Sequence, residues 1–243
     1  MARRRFFVDA IRGGAAELRG AEARHLTRVL RAEAGQRYEI TDSRGAWLAE
    51  IAEARGDRVV FHVIEPVASP EPPVRITLAA ALIKFDRWEW MIEKATELGV
   101  ERILPFRAGR SEKGLLEASA KRVERWRRIA VESSQQSRRL RVPEIAAGVS
   151  FEAALQYTAE YRYLLEENPA PPLVSMLPPE RTRLARVALL VGPEGGWTPE
   201  ERETAAVAGW QPVSLGPQIL RAETAAIAGI AILVNGWMRN SVQ

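Results

Sequence analysis

Two different patterns of apolar positions divide this chain. Residues 36–41, 46–52 and 58–63 alternate apolar and polar side chains, with turn residues at 42–45 and 55–57 between them. That period of two predicts short strands with one buried face, hence a small β-rich domain. A helix over 22–31 is expected to interrupt it, turning Leu26, Val29 and Leu30 inward and Arg24, Arg28 and Arg31 to solvent. Residues 67–73 (Val-Ala-Ser-Pro-Glu-Pro-Pro) can sustain neither a helix nor a central strand, so they read as a linker. The expected domains are residues 1–70 and 74–243.

Beyond the linker the period changes. Apolar runs at 76–83, 100–105, 161–165, 187–191 and 210–215 read as strands buried on both faces. Between them the spacing is helical. Trp88, Met91, Ile92, Ala95 and Leu98 form one stripe, and Val123, Trp126 and Ala130 form another on a long basic helix within 117–141. A short helix is expected over 151–157. The last helix, 223–238, is apolar almost all round, which predicts burial or a partner surface. Strands alternating with helices imply an α/β domain with a parallel sheet.

The chemistry concentrates in the last fifth of the chain. The strand at 187–191 runs into Gly192-Pro193-Glu194-Gly195-Gly196, and the strand at 210–215 into Leu215-Gly216-Pro217. Thr198, Pro199 and Glu201 form a capping box with proline at the first helical position, so a helix starts directly after the first loop. Ligands of open α/β sheets bind beyond the carboxyl ends of strands, and glycine lets the backbone approach them closely. These two strands are expected to be neighbours, so that the two loops could close around one small molecule. The sequence holds neither a G-x-G-x-x-G after a strand nor a G-x-x-x-x-G-K-[ST], which argues against dinucleotide and P-loop sites.

Composition narrows the classes further. There are no cysteines, so disulfides, thiolate metal sites and cysteine nucleophiles are excluded. His25 and His62 are the only histidines, which disfavours a multi-histidine metal site or a serine-histidine-aspartate triad. No apolar run reaches membrane-spanning length and no signal-peptide core develops, so a cytoplasmic location is expected, with no membrane and no metal. The net charge of +4 is uneven: residues 1–37 carry +5 and residues 110–141 carry +6, leaving −7 on the rest. Basic segments on an otherwise acidic chain suggest a polyanionic partner.

Several of these residues together resemble the bacterial 16S rRNA uridine-N3 methyltransferase family (RsmE), of the SPOUT class. The segments are Gly192-Pro-Glu-Gly-Gly, Leu215-Gly216, Ile219-Leu-Arg-Ala-Glu-Thr-Ala, Lys94-Ala-Thr-Glu-Leu-Gly99, Gln135-Gln-Ser-Arg-Arg139 with Arg141-Val-Pro143, and His25 with Arg28-Val-Leu-Arg31 and Gly35. They run in order from about residue 20 to residue 226. The resemblance implies a PUA-like β-rich RNA-binding domain followed by a SPOUT-type α/β domain with a deep trefoil knot, a homodimer, and S-adenosylmethionine as cofactor. It also implies the substrate: N3 of a uridine in 16S rRNA, in the decoding region near the 3′ end, in the small ribosomal subunit.

Uracil N3 is mostly protonated at neutral pH, so a proton must leave and negative charge spreads onto O2 and O4. An arginine there would stabilise that charge and a carboxylate could take the proton. N3 lies on the pairing edge, so the base must be unpaired or extruded. Arg139 is the first candidate for the arginine and Arg221 the second; Glu223 is a candidate base. Competing readings are a phosphate contact for Arg139, a loop bridge for Arg221, and a helix-dipole acid for Glu223. Backbone groups of Gly192, Gly196, Leu215, Gly216 and Leu220, with Leu165 and Glu166, are expected to enclose the cofactor. Arg28, Arg31, Arg110, Gln136 and Arg139 are expected to face RNA. A SPOUT methyltransferase acting on another RNA would share every loop feature. A non-catalytic RNA-binding ribosome-assembly factor is the alternative of a different class.

Overall fold

The computed structural model describes residues 4–239 and 241–242; residues 1–3, which begin the basic segment 1–37, lie outside them. The chain forms two compact units, one of residues up to 71 together with 134–141, the other of residues 72–133 and 142 onward.

In the first unit, β1 (Arg5–Phe7), β2 (Ile11–Arg12), β3 (Ala15–Arg19), β4 (Arg37–Thr41), β5 (Ala46–Arg55) and β6 (Arg58–Pro66) form one six-stranded sheet in the order β1-β4-β5-β6-β3-β2. Only β1–β4 is parallel. Two register irregularities, at Leu48/Ala49 and Ile51/Glu53, bend β5. Phe6, Leu18, Leu26, Ile40, Ile51 and Phe61 close the core.

The helix expected over 22–31 is different in kind. A short α1 (Gly20–Arg24) passes into a π-helical turn over His25–Val29, and Leu30 N–H donates to the His25 carbonyl at 3.1 Å. The wider turn rotates each following residue backwards relative to an α-helix. Leu26 stays buried, but Val29, expected inside, is 65% exposed. Arg31 then takes a left-handed conformation with φ +51°. Arg24, Arg28 and Arg31 are exposed, as the pattern required.

A buried ion pair ties this unit to a distant stretch of sequence. Arg5 donates through Nε (3.2 Å) and Nη2 (2.9 Å) to Glu39, and through Nη1 to Ser69 Oγ (2.6 Å). Arg138 reaches the same carboxylate at 3.4 Å. Gln135 donates to Glu22 (2.5 Å), Thr41 Oγ1 to the Leu140 carbonyl (3.3 Å), and Arg141 pairs with Glu71 (3.2 Å). Residues 134–141 therefore complete the first unit, although the linker at 67–73 predicted that they would belong to the second domain.

The second unit begins with β7 (Arg75–Ala81), α2 (Phe85–Glu97), β8 (Arg102–Arg107), α3 (Leu115–Ser119) and the start of α4 (Val123–Gln136). It resumes with β9 (Glu144–Ile145), β10 (Val149–Ser150), α5 (Phe151–Leu155), β11 (Tyr161–Leu165), β12 (Arg181–Thr182) and β13 (Arg186–Val191). It ends with α6 (Pro199–Val207), β14 (Gln211–Val213), α7 (Ala222–Arg239) and β15 (Ser241–Val242). The main sheet runs β10-β8-β7-β13-β11-β14, with β9 beside β8, and every pairing is parallel. Alternate residues of β7 and β13 feed two cores. Ile76, Leu78, Val187, Leu189 and Val191 meet Trp88 and Met91 of α2, Trp126 of α4, and Ala226, Ile230 and Leu233 of α7. Ala79, Ala81, Ala188 and Leu190 meet Phe151 of α5, Ala205 of α6 and Trp197. Covering both faces of the sheet explains why these strands read as continuous apolar runs.

The two glycine loops do not follow neighbouring strands. β11 lies between β13 and β14, with Leu164 opposite Leu190 and Leu165 opposite Val213. The register nevertheless brings the carboxyl ends of β7, β13, β11 and β14 level. Between β7 and β13 the connections diverge: β7 leads by α2 to β8 on one side, and β13 leads by α6 to β14 on the other. Such a reversal opens a crevice at the strand ends.

Candidate functional site

A cavity of about 550 Å3 lies at those strand ends. Its wall comes from residues 165–167 after β11, 191–197 after β13 and 215–222 after β14, with Arg87 and Ala225 from α2 and α7. All seven residues expected at the cofactor site (Leu165, Glu166, Gly192, Gly196, Leu215, Gly216, Leu220) line it, as does Arg221. Leu165, Val191, Leu215 and Leu220 give it apolar patches, and Arg87, Glu167, Glu194 and Arg221 give it charge.

The first loop is shaped by Trp197, which is fully buried. Its indole donates to the Leu165 carbonyl at 2.8 Å and stacks on Phe106 with centroids 6.2 Å apart and planes 3° apart. A Cβ at Gly192 would stand 2.8 Å from the indole, so only glycine lets the strand end pass it. At Gly196, φ is +69° and a Cβ would run into the Glu167 carboxylate. The capping box then starts α6: Glu201 N–H donates to Thr198 Oγ1 (3.2 Å), and Thr198 N–H donates to Glu201 Oε2 (2.9 Å). Glu201 also accepts from Gly109 N–H (2.7 Å), fixing the loop after β8.

Glu166 is held from behind. Arg202 of α6 forks onto its carboxylate at 2.8 and 3.1 Å, and reaches Glu167 at 2.5 Å and the Trp197 carbonyl at 2.8 Å. The Glu166 hydrogen bond pushes the Arg202 guanidinium above its ordinary value. With its side chain 6% exposed, the Glu166 carboxylate is committed to this fork. Its backbone N–H donates to the Val213 carbonyl at 2.9 Å and fixes β11 against β14.

On the opposite wall, Arg87 pairs with Glu194 of the glycine loop, and its Nε lies 4.0 Å from Glu223 Oε1. Glu223 is not on the cavity wall. Its position in α7, three and seven residues before Ala226 and Ile230, turns it inward; it is 7% exposed, and Oε2 has no hydrogen-bond partner among the described residues. Arg221 is exposed on the wall, and Ile219 beside it is 90% exposed.

The residues expected at RNA lie in different places. Arg28 and Arg31 are exposed in the first unit, and so is Gln136. Arg139 sits on the 134–141 segment, its N–H donating to the Ser134 carbonyl at 2.9 Å. Arg110 is exposed in the second unit and donates to the Gly195 carbonyl at 2.9 Å, bracing the glycine loop. Sequence reasoning missed Arg87, Glu167 and Arg202. Arg87 was within reach, because the first turn of the helix after β7 opens onto the same strand ends. Glu167 and Arg202 carry no local signal; their roles depend on α6 folding back over β11.

Among the described residues no helix is long and apolar enough to cross a membrane, and no cluster of histidine, aspartate and glutamate could hold a metal ion. Residues 70–234 match the model of an RNA methyltransferase domain, and residues 18–64 that of an RNA methyltransferase PUA domain. The ribosomal RNA small subunit methyltransferase E of Synechocystis is 34% identical over 87% of this chain and 70% of its own length. That of Bacillus subtilis is 33% identical over 88% and 87%. A crystal structure of the Neisseria gonorrhoeae ribosomal RNA small subunit methyltransferase E bound to S-adenosylmethionine superimposes with TM-score 0.86, at 30% identity over 96% of this chain and 98% of that one. A putative Legionella pneumophila methyltransferase in complex with the same cofactor gives TM-score 0.86 at 28% identity, over 96% and 97%.

Proposed function

The chain belongs to the ribosomal RNA small subunit methyltransferase E family, and from that premise we propose that it methylates N3 of a uridine in the decoding region of 16S rRNA with S-adenosylmethionine as donor. The observation that carries this reading is the convergence of three strand-end loops on one cavity. Its volume lies within the range of about 300–1,000 Å3 usual for small-molecule sites. Its apolar patches suit a flat base, and its Arg87, Glu167 and Glu194 suit a charged amino-acid end. The backbones of Gly192, Gly196, Leu215, Gly216 and Leu220, with Leu165 and Glu166, would hold it. Bound there, the cofactor supplies a methyl group on a sulfonium.

The protein's share of the reaction is then positioning and charge. Arg139 on the 134–141 segment is the first cation proposed for the uracil oxygens as N3 loses its proton, and Arg221 at the cavity wall the second. Glu223, turned inward behind Arg87, is proposed as a support for that arginine. A homodimer is part of this reading, with the half-buried Ala228 and Ala231 of α7 at the contact; Ala231→Arg should give a monomer in sedimentation velocity. The trefoil knot and a cytoplasmic location, where ribosomes are, belong to it as well.

The test is transfer of labelled methyl to purified small subunits, followed by mass spectrometry of the digested RNA. N3-methyluridine in 16S rRNA is expected. A methylated base elsewhere would favour another RNA substrate, and cofactor binding without transfer would favour an assembly factor. Arg139→Ala should keep cofactor binding and lower the single-turnover rate at saturating subunits by about 10²–10³-fold, the loss typical of a transition-state donor. A normal rate there, with a raised KM, would make Arg139 a phosphate contact and leave Arg221 as the catalytic cation.

Arg28 and Arg31 are proposed phosphate contacts in the PUA domain. Each phosphate neutralised on single-stranded nucleic acid contributes about 0.7 to the slope of log affinity against log salt. Replacing both with Ala should flatten that slope by about 1.4 without changing cofactor affinity. An unchanged slope in filter-binding titrations would remove them from the RNA surface.

A further inference from the structure

The cavity wall carries an opposite-charge pair, Arg87 and Glu194, beside a buried carboxylate. Arg87, the third residue of α2, pairs with Glu194 from the loop after β13, across the crevice between β7 and β13. Both side chains are partly exposed, 32% and 41%. Behind them Glu223, its side chain 10% exposed, lies 4.0 Å from Arg87 Nε, and its second oxygen has no partner among the described residues. One cation is thus shared by two carboxylates: one buried and dependent on it, one exposed and free to leave.

We propose that Arg87 and Glu194 form a subsite for an α-amino-acid zwitterion, the aminoacyl end of the cofactor. This rests on the cofactor assignment above. A carboxylate entering the cavity takes the place of Glu194 on the Arg87 fork, and Glu194 turns to the ammonium. Every charge remains paired throughout the exchange. An exposed ion pair contributes little stability by itself, so opening it costs little. Arg87 does not follow Glu194 away, because an unpaired carboxylate buried at Glu223 would be strongly unfavourable. Its planar fork also suits a carboxylate better than an ammonium group would. Arg221, the other cation on the wall, is exposed and forms no salt bridge among the described residues, which leaves it for the RNA side.

A clip that merely held the glycine loop would affect every ligand of the cavity alike. Titration calorimetry on the full chain should therefore compare S-adenosylmethionine with methylthioadenosine, which lacks the aminoacyl end, and with decarboxylated S-adenosylmethionine. Arg87→Ala should weaken S-adenosylmethionine about 10–100-fold, the usual scale for a charged hydrogen bond, and methylthioadenosine less than about threefold. Decarboxylation should weaken binding to the unaltered protein but bring no further loss in Arg87→Ala. Glu194→Gln should weaken S-adenosylmethionine and its decarboxylated form, both of which keep the ammonium, by a smaller factor, and leave methylthioadenosine unchanged. If Arg87→Ala misfolds because Glu223 is stranded, the double variant Arg87→Met/Glu223→Gln removes both charges and should show the same ligand dependence. Equal losses for all three ligands, or none, would overturn the subsite. Failure of the unaltered protein to bind either adenosine compound would instead overturn the cofactor assignment itself.

Discussion

Gly196→Val is expected to abolish S-adenosylmethionine binding while the protein still unfolds in a cooperative transition. Two constraints meet at this residue. Its φ of +69° is a conformation that costs a non-glycine residue about 1–3 kcal/mol, with β-branched side chains at the upper end. Any Cβ would also run into the Glu167 carboxylate, which Arg202 holds at 2.5 Å, so that pair must give way as well. The strained φ displaces the loop 192–197, which forms one wall of the cavity. The capping box at Thr198 and the buried Trp197 anchor both sides of the displaced segment, so α6 and the sheet remain. Calorimetric titration should show at least about a 100-fold loss, equivalent to about 3 kcal/mol. An unchanged titration would remove the loop from the cofactor site.

Trp197→Ala should produce the largest loss of stability of any single substitution near the site. The indole is fully buried, stacks on Phe106, leans on Phe151 with centroids 5.6 Å apart, and hydrogen-bonds the end of β11. Removing it leaves a void that a parallel sheet and two helices cannot easily fill, which costs about 3–5 kcal/mol. For a unit of this size that lowers the melting temperature by about 10 °C or more. Trp197→Phe keeps most of the volume and loses the hydrogen bond and part of the ring, so a smaller loss of about 1–3 kcal/mol is expected. A melting curve for Trp197→Ala within a few degrees of the unaltered protein would show that the loop is not built around this ring.

Much of the second unit could be read in the sequence because its elements are locally determined. The run at 187–191 is apolar throughout because β13 is covered on both faces, and Thr198, Pro199 and Glu201 encode their own helix start. Elsewhere the deciding contacts are distant in sequence. β1 to β3 show no strand pattern and read only as part of a basic segment, since the burial of Arg5 depends on partners distant in sequence, Glu39 and Ser69. The π-helical turn at His25–Val29 shows no change of spacing before Arg31. The place of β11 between β13 and β14 follows from pairing, which no periodicity specifies. The glycine loops could be found by composition, whereas Arg87 required knowing that α2 begins at the same end of the sheet.

The stretch 134–141 has a consequence for how this protein is made. A chain leaves the ribosome from its N-terminus, and domains generally fold as units in that order. Here the first unit cannot finish when its own strands have emerged. Glu22 and Glu71 still lack Gln135 and Arg141, and Glu39 has only one of its two arginines. The missing pieces arrive only after α2, β8 and most of α4 have been synthesised. The PUA domain therefore waits, incomplete, until synthesis of the catalytic domain is well under way, and a release factor acting early would leave neither half whole.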